Sequence, residues 1–256
     1  MNENDLAQRF NRFFRIIPVQ SEAVLHRIFR LRYLVYCREY GFEREEDCPG
    51  GMERDEYDDR ALHAAVIHRH TGAIAGCVRL ITPPSTATEP LPMERYCGHS
   101  LEHAAIHPDR FGSETICETS RLAVRAVFRR RPGETQSPAG LGPESGHARE
   151  ESRNYPLISV ALFLSAVALS AVSDRPHMFA MMEPRLARLL ARSGLYFTRI
   201  GAMIDYHGQR AAFYMHHETA MKGMKPEFHA LYDSALAQLQ GGDEGTTPPP
   251  SRRTRV

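Results

Sequence analysis

The sequence predicts a single α/β (α+β) domain over residues 1–240, built on a mixed, mostly antiparallel central sheet flanked by helices. Three observations carry this. Two apolar runs, residues 62–69 and 73–82, flank the turn His70-Thr71-Gly72 and read as an antiparallel hairpin. An uncharged stretch at residues 156–172 lies between two further strand-like runs, as a crossover helix joining parallel strands would. Strands and helices otherwise alternate, without an internal repeat.

Each element has a local signature. Residues 13–19 read as a strand. Ser21 offers an N-cap for a helix from residue 22 to about 40, with Val24, Ile28, Leu31 and Val35 as its apolar stripe and Gly41 as its stop. Residues 42–60 are acidic and loop-like. Pro83, Pro84, Pro90 and Pro92 are expected to hold the following stretch as a loop over the surface. Residues 115–124 form the next strand. Residues 129–153 contain Pro132, Gly133, Pro138, Gly140, Gly142, Pro143 and Gly146 with almost no apolar side chains; they cannot offset the entropy of ordering and read as a mobile insertion. After a long helix from about residue 155 come a strand at 178–182, a helix opened by Pro184 and closed by Gly194, strands near 196–200 and 210–216, and a helix over 226–239. Residues 241–256, with Pro248, Pro249 and Pro250 and three arginines, read as a disordered tail.

Composition excludes several function classes. At 256 residues, 42% hydrophobic and 25% charged, the chain has ordinary globular usage. Its 32 basic and 31 acidic side chains nearly cancel, so no whole-molecule field favours nucleic acid. Five cysteines, odd in number and without a C-x-x-C pair or a secretory leader, predict reduced thiols in a cytoplasmic protein without structural zinc. The 156–172 stretch is shorter than the ~20 apolar residues of a membrane span and is diluted by Ser159, Ser165 and Ser170. It reads as a core helix, which leaves peripheral membrane association as the only membrane contact considered.

The chemistry is concentrated in charged residues embedded among apolar ones. Arg32 and Tyr36 stand on the first predicted helix, Glu53, Asp55, Tyr57 and Asp58 in the acidic loop, Arg79 in the hairpin, and Glu118, Ser120 and Arg121 on the central strand. Burying such charges is costly unless they pair, so they are expected to form one polar cluster, the candidate site.

The motifs Arg-x-x-x-aromatic (Arg32, Tyr36), E-x-D-x-Y-D (Glu53 to Asp58), R-L (Arg79-Leu80) and E-x-S-R (Glu118 to Arg121), in that order, resemble the acyl-homoserine-lactone synthases within the GNAT acyltransferase superfamily. In the second half, Met182-Glu183-Pro184-Arg185-Leu186, Leu189 to Gly194 and Asp205-Tyr206-His207-Gly208-Gln209-Arg210 resemble the bacterial N-acyl amino acid synthases associated with PEP-CTERM/exosortase systems. The resemblance implies a sheet splayed between the central strand and the following parallel strand. It also implies transfer of a long fatty acyl chain from acyl carrier protein to the amine of an amino acid, with no permanently bound cofactor and an acyl-phosphopantetheine, or acyl-CoA, as donor.

Individual residues carry competing readings. Glu118 is a candidate base, directly or through water, or else a structural partner of Arg121 or Arg79. Positions 118 and 121 would face opposite ways on a regular strand, so a bulge near Thr119-Ser120 is expected to bring them together and free an N–H for the thioester oxygen. Arg32, Arg79 and Arg121 either bind the acceptor's carboxylate or pair internally with Asp55 and Asp58; the internal network is taken for Arg79 and Arg121, and Arg32 is left open. His63, His68 and His70 suggest a metal by type, but 63 and 68 face opposite ways on a strand, and no metal is expected. Cys117 reads as a buried thiol rather than a nucleophile. Leu162, Phe163 and Val167 read as core rather than acyl tunnel.

The donor is inferred from a missing motif. GNAT enzymes that use coenzyme A commonly carry Q/R-x-x-G-x-G/A before the crossover helix, where backbone amides meet the pyrophosphate. Here Gly140-Leu141-Gly142 precedes Pro143 inside the insertion, far from the helix start. Arg125, Arg129, Arg130, Arg131, Arg149 and Arg153 flank that place and are expected to meet an acidic carrier protein, against the alternative of a solvated basic loop. Two other functions stay open: a lactone synthase, and a non-catalytic protein that binds acyl carrier protein or lipid.

Overall fold

The computed structural model describes residues 3–84, 89–129 and 150–242. Its sheet has the strand order β1-β2-β3-β4-β5-β8-β6, with β7 paired to β8. The strands are β1 (Phe14–Pro18), β2 (Ala61–His68), β3 (Ile74–Ile81), β4 (Ile116–Val124), β5 (His177–Met182), β6 (Thr198–Arg199), β7 (Ile204–Asp205) and β8 (Gln209–His216). All pairings are antiparallel except β4 with β5. The result is the GNAT-like mixed sheet that the order of elements predicts.

Two features of the pairing shape the site. The parallel β4–β5 register covers only Ile116↔His177, Cys117↔Met178 and Glu118↔Phe179, so the two strands part beyond Glu118 and open a V-shaped gap. On the other edge of β4 the register moves from Cys77↔Ala123 to Arg79↔Ser120, which gives β4 one residue more than β3. That bulge falls at Arg121 and Leu122, one to two residues beyond the expected place, with Arg121 at φ 49°.

The crossover helix, Tyr155–Val172, is apolar all round because it is covered all round. Its 18 residues have a mean hydropathy of 2.1 and 67% are buried within the fold. Ser165 and Ser170 are buried too, and each satisfies its hydroxyl on the helix itself, on Ala161 O at 2.7 Å and Val167 O at 2.8 Å. Leu162, Phe163 and Val167 lie in the core shared with β2, β3 and β4. The helix meets β3 at Gly76, where an added Cβ would stand 2.8 Å from Leu162 Cδ1 and 2.7 Å from Ala123 O. Glycine permits that contact.

Several local expectations are corrected. The first helix is α-helical only over Glu22–Tyr33, capped by Ser21 as expected; Leu34–Glu39 continue as a wider π-helical turn before Gly41 at φ 62°. Residue 13 belongs not to β1 but to an N-terminal helix, Glu3–Phe13, whose Leu6, Ala7 and Phe10 are buried. The proline stretch does not end as surface loop: Pro92 opens a short helix, Pro92–Cys97, with Leu91, Pro92, Met93 and Cys97 buried. Proline suits a first helical turn, whose N–H groups have no intrahelical partner. A short helix over His217–Gly223 follows β8, and the last helix runs over Pro226–Gly241.

Most of the predicted mobile insertion lies outside the described residues, as do the tail from residue 243 and the Gly140-Leu141-Gly142 segment. Its last residues are tied to the core instead of being free. Glu150 pairs with Arg12 at 2.6 Å, Glu151 lies 3.2 Å from His68, and buried Asn154 accepts from Arg9 at 3.3 Å.

Candidate active site

The predicted cluster assembles on one side of the splay. Arg32 is fully buried, donating through Nε to Glu53 and through Nη1 and Nη2 to Asp58 at 2.6 and 3.0 Å. Arg79, 2% exposed, donates to Asp55 at 2.5 and 3.0 Å, to Asp58 at 2.9 Å, and through Nε to Ser120 Oγ at 3.0 Å. Arg121 reaches Glu53 at 3.0 Å, Glu43 at 3.2 Å and Asp55 at 3.3 Å, with its guanidinium 5.7 Å from the Tyr36 ring centroid. Three guanidiniums therefore meet four carboxylates, and planar bidentate pairing accounts for the repeated use of arginine.

The E-x-D-x-Y-D loop folds to present these acids. Asp58 accepts from the backbone N–H of Asp55 at 2.8 Å, and Asp55 accepts from that of Tyr57 at 2.9 Å. The loop thus caps its own turn with the same carboxylates that hold the arginines. Burial alone would push these acids up. For Glu53, Arg32 and Arg121 outweigh it; for Asp55, Arg79 does; for Asp58, Arg32 and Arg79 do, and all three carboxyls are held below their ordinary values. His63 packs beside Asp58, and burial lowers its pKa to about 4.

Glu118 is different in kind. It sits at the last paired position between β4 and β5, is 4% exposed, and accepts a hydrogen bond from the backbone N–H of Met93 at 2.9 Å. Among the described residues it makes no ion pair, which removes the reading in which it braces Arg79 or Arg121. Burial raises its carboxyl to about 7, against the weaker opposing pull of the Met93 N–H and of the two arginines.

A cleft open to solvent lies at this point. Of the predicted residues, Tyr36, Asp55, Tyr57, Arg79, Glu118, Ser120 and Arg121 line it, whereas Arg32, Glu53 and Asp58 do not. Arg32 makes its contacts with Glu53 and Asp58 and does not line the cleft. Tyr36 comes from the π-helical turn and donates its hydroxyl to Leu122 O in the bulge at 2.9 Å; burial holds that phenol above its ordinary value. Met93, Tyr96, Cys97, Tyr206, His207 and Arg210, to which the motif pattern gives no role, also line the cleft. Repeated polar types in DYHGQR were the available signal, since side chains clustered around a positive-φ turn (His207 at 54°, Gly208 at 91°) are held in one place.

The other candidates lie elsewhere. Cys117 is fully buried with its thiol pushed up by burial. His68 binds Thr71 at 2.8 Å. Of the basic patch, Arg130, Arg131 and Arg149 lie outside the described residues. Arg125, Arg129 and Arg153 are exposed, and Arg129 also donates to Glu39, Tyr40 and the carbonyl of Val124.

A mostly antiparallel sheet with one parallel pair, splayed beside a bulged central strand with a buried acid at the opening, is a GNAT-like fold. Residues 31–137 match the acetyltransferase (GNAT) domain family, covering the span from Arg32 through the central strand. No curated protein matches the chain by sequence. Solved structures similar to it include TofI in a ternary complex with an inhibitor and MTA, at 20% identity and TM-score 0.58, with 87% of this chain and 99% of TofI covered. The acyl-homoserine-lactone synthase LasI is similar at 17% identity and TM-score 0.56, covering 83% and 95%. BjaI, a CoA-dependent acyl-homoserine lactone synthase with SAM and isopentyl-CoA, is similar at 18% identity and TM-score 0.56, covering 85% and 89%. At these identities the likeness is one of fold.

Proposed function

We propose that the protein is an N-acyltransferase that moves a long-chain fatty acyl group from acyl carrier protein to the amine of an amino acid. The observation that carries this reading is Glu118: a buried carboxyl on the wall of the cleft, without a countercharge bound to it, and with an ionisation near neutrality. An acid of that kind accepts a proton at physiological pH, whereas the paired acids behind the wall do not.

In this reading the acceptor's ammonium gives one proton to Glu118, directly or through water, and the free amine attacks the thioester carbon. The carbonyl oxygen gains the charge, beside the bulge at Arg121 and Leu122 where backbone leaves the ladder and can offer an amide donor. As the adduct collapses, the C–S bond breaks and the nitrogen loses its second proton. The phosphopantetheine sulfur leaves as thiol, and an N-acyl amino acid remains. Arg79, Ser120, Asp55 and Arg121 hold the wall in place, and exposed Arg125 and Arg153 offer positive charge to an acidic carrier.

A second reading is lactone synthesis, favoured by the fold likeness to TofI, LasI and BjaI. Mass spectrometry of lipids from cells expressing the protein separates the two. The proposal expects N-acyl amino acids carrying a free carboxylate; acyl lactones would replace it, and no new acylated product would end both.

A further inference from the structure

Arg210, at the start of β8, is the guanidinium of the cleft wall that has no carboxylate of its own among the described residues. Arg79 and Arg121, which also line the cleft, are occupied by Asp55 and Asp58, and by Glu53, Glu43 and Asp55. Arg210 has instead a buried Nε without a hydrogen-bond partner, and its guanidinium lies 5.6 Å from the Phe42 ring centroid. A buried donor left unmade is costly, and a guanidinium placed so is satisfied by an incoming planar anion. The position is fixed by the β7–β8 hairpin, in which Arg210 pairs with Ile204.

Its placement suits the second end of a small acceptor. Glu118, Arg210 and Cys97 line the same cleft. A molecule with an amine at Glu118 therefore has a cation within reach for a carboxylate.

We infer that Arg210 binds the acceptor's α-carboxylate, which makes free α-amino acids, and not their amides or simple amines, the acceptor class. The inference rests on the acyltransferase reading above and narrows it. The three arginines of the motif cluster are already paired with acids of their own.

The test supplies a palmitoyl thioester of acyl carrier protein with an equimolar mixture of the twenty amino acids, or with the same amino acids as α-carboxamides, and quantifies N-palmitoyl products by mass spectrometry. The parent should acylate the acids at least 10-fold better than the amides, a ratio in line with one charge-assisted contact. Arg210→Met should erase that preference, with KM for the best acid rising roughly 10- to 100-fold, and by more than for the corresponding amide. Arg210→Lys should restore part of it, and guards against misreading an unfolded Met variant. A parent that acylates both mixtures equally, or a Met variant that keeps the preference, overturns the role of Arg210 and leaves acyl transfer standing. A parent that acylates neither overturns acyl transfer, and the assignment built on it.

Discussion

Two sets of carboxylates are buried within one polar region, and they ionise in opposite senses. Glu53, Asp55 and Asp58 are surrounded by guanidiniums and held below their ordinary values; Glu118, a few residues along the same sheet, has only a backbone N–H and rises to about 7. Burial works on all four in the same direction. Countercharge decides the outcome: bidentate arginines make an acid a fixed structural anion, and their absence leaves a group that can exchange protons at neutral pH. Structure and chemistry are thereby divided between neighbouring residues of the same type.

The largest expected effect breaks the comparison on the side of Glu118. Glu118→Gln keeps the acceptor for the Met93 N–H and should leave the fold intact while lowering turnover by roughly 10²–10⁴-fold. Turnover near that of the parent would remove Glu118 from the reaction. On the other side, Arg32→Ala strands Glu53 and Asp58 and should cost about 3–5 kcal/mol in denaturant unfolding. Glu43→Gln, at the partly exposed rim of the same network, should cost less than about 1 kcal/mol. Equal costs would mean that the network is not graded by burial.

The pH dependence of stability should separate the two sets as well. The network acids, depressed in the fold, contribute stability that is present above their unfolded values and lost as pH falls through the folded ones; Asp58→Asn should remove part of that acid limb. Glu118 has the opposite sign. Its folded value lies above the ordinary 4.5, so its stabilising contribution is complete below that value and is lost as pH rises through about 7. Melting temperatures of Glu118→Gln should accordingly fall less between pH 5 and 8 than those of the parent. The smallest effect concerns the donor. Arg125→Glu with Arg153→Glu should lower kcat/KM several-fold for an acyl carrier protein donor, more at low salt, and not for a pantetheine thioester. Equal loss with both donors would place the damage in the cleft.

The charged network was legible in sequence because charge in an apolar setting has few solutions: Arg32, Arg79 and Arg121 had to find acids, and Glu53, Asp55 and Asp58 were the acids at hand. The mixed sheet was legible for a similar reason, since an uncharged stretch of the length of Tyr155–Val172 needs cover and reads as a crossover helix between parallel strands. What was not legible depends on backbone. The N–H of Met93 that holds Glu118 has no side-chain signature, and the prolines before it masked the short helix that presents it. The bulge settled at Arg121 and Leu122 rather than at Thr119-Ser120 because register, not composition, places it. Arg210 went unassigned because a cation is informative only when its neighbours are known not to neutralise it.

The account turns on the ionisation of Glu118 governing acyl transfer, and the pH profile of kcat/KM at saturating acyl thioester tests it most directly. The parent should rise tenfold per pH unit below about 7 and level off above it, and Glu118→Gln should lose that inflection along with most of its rate. An inflection of the same position and slope in both proteins would contradict the account.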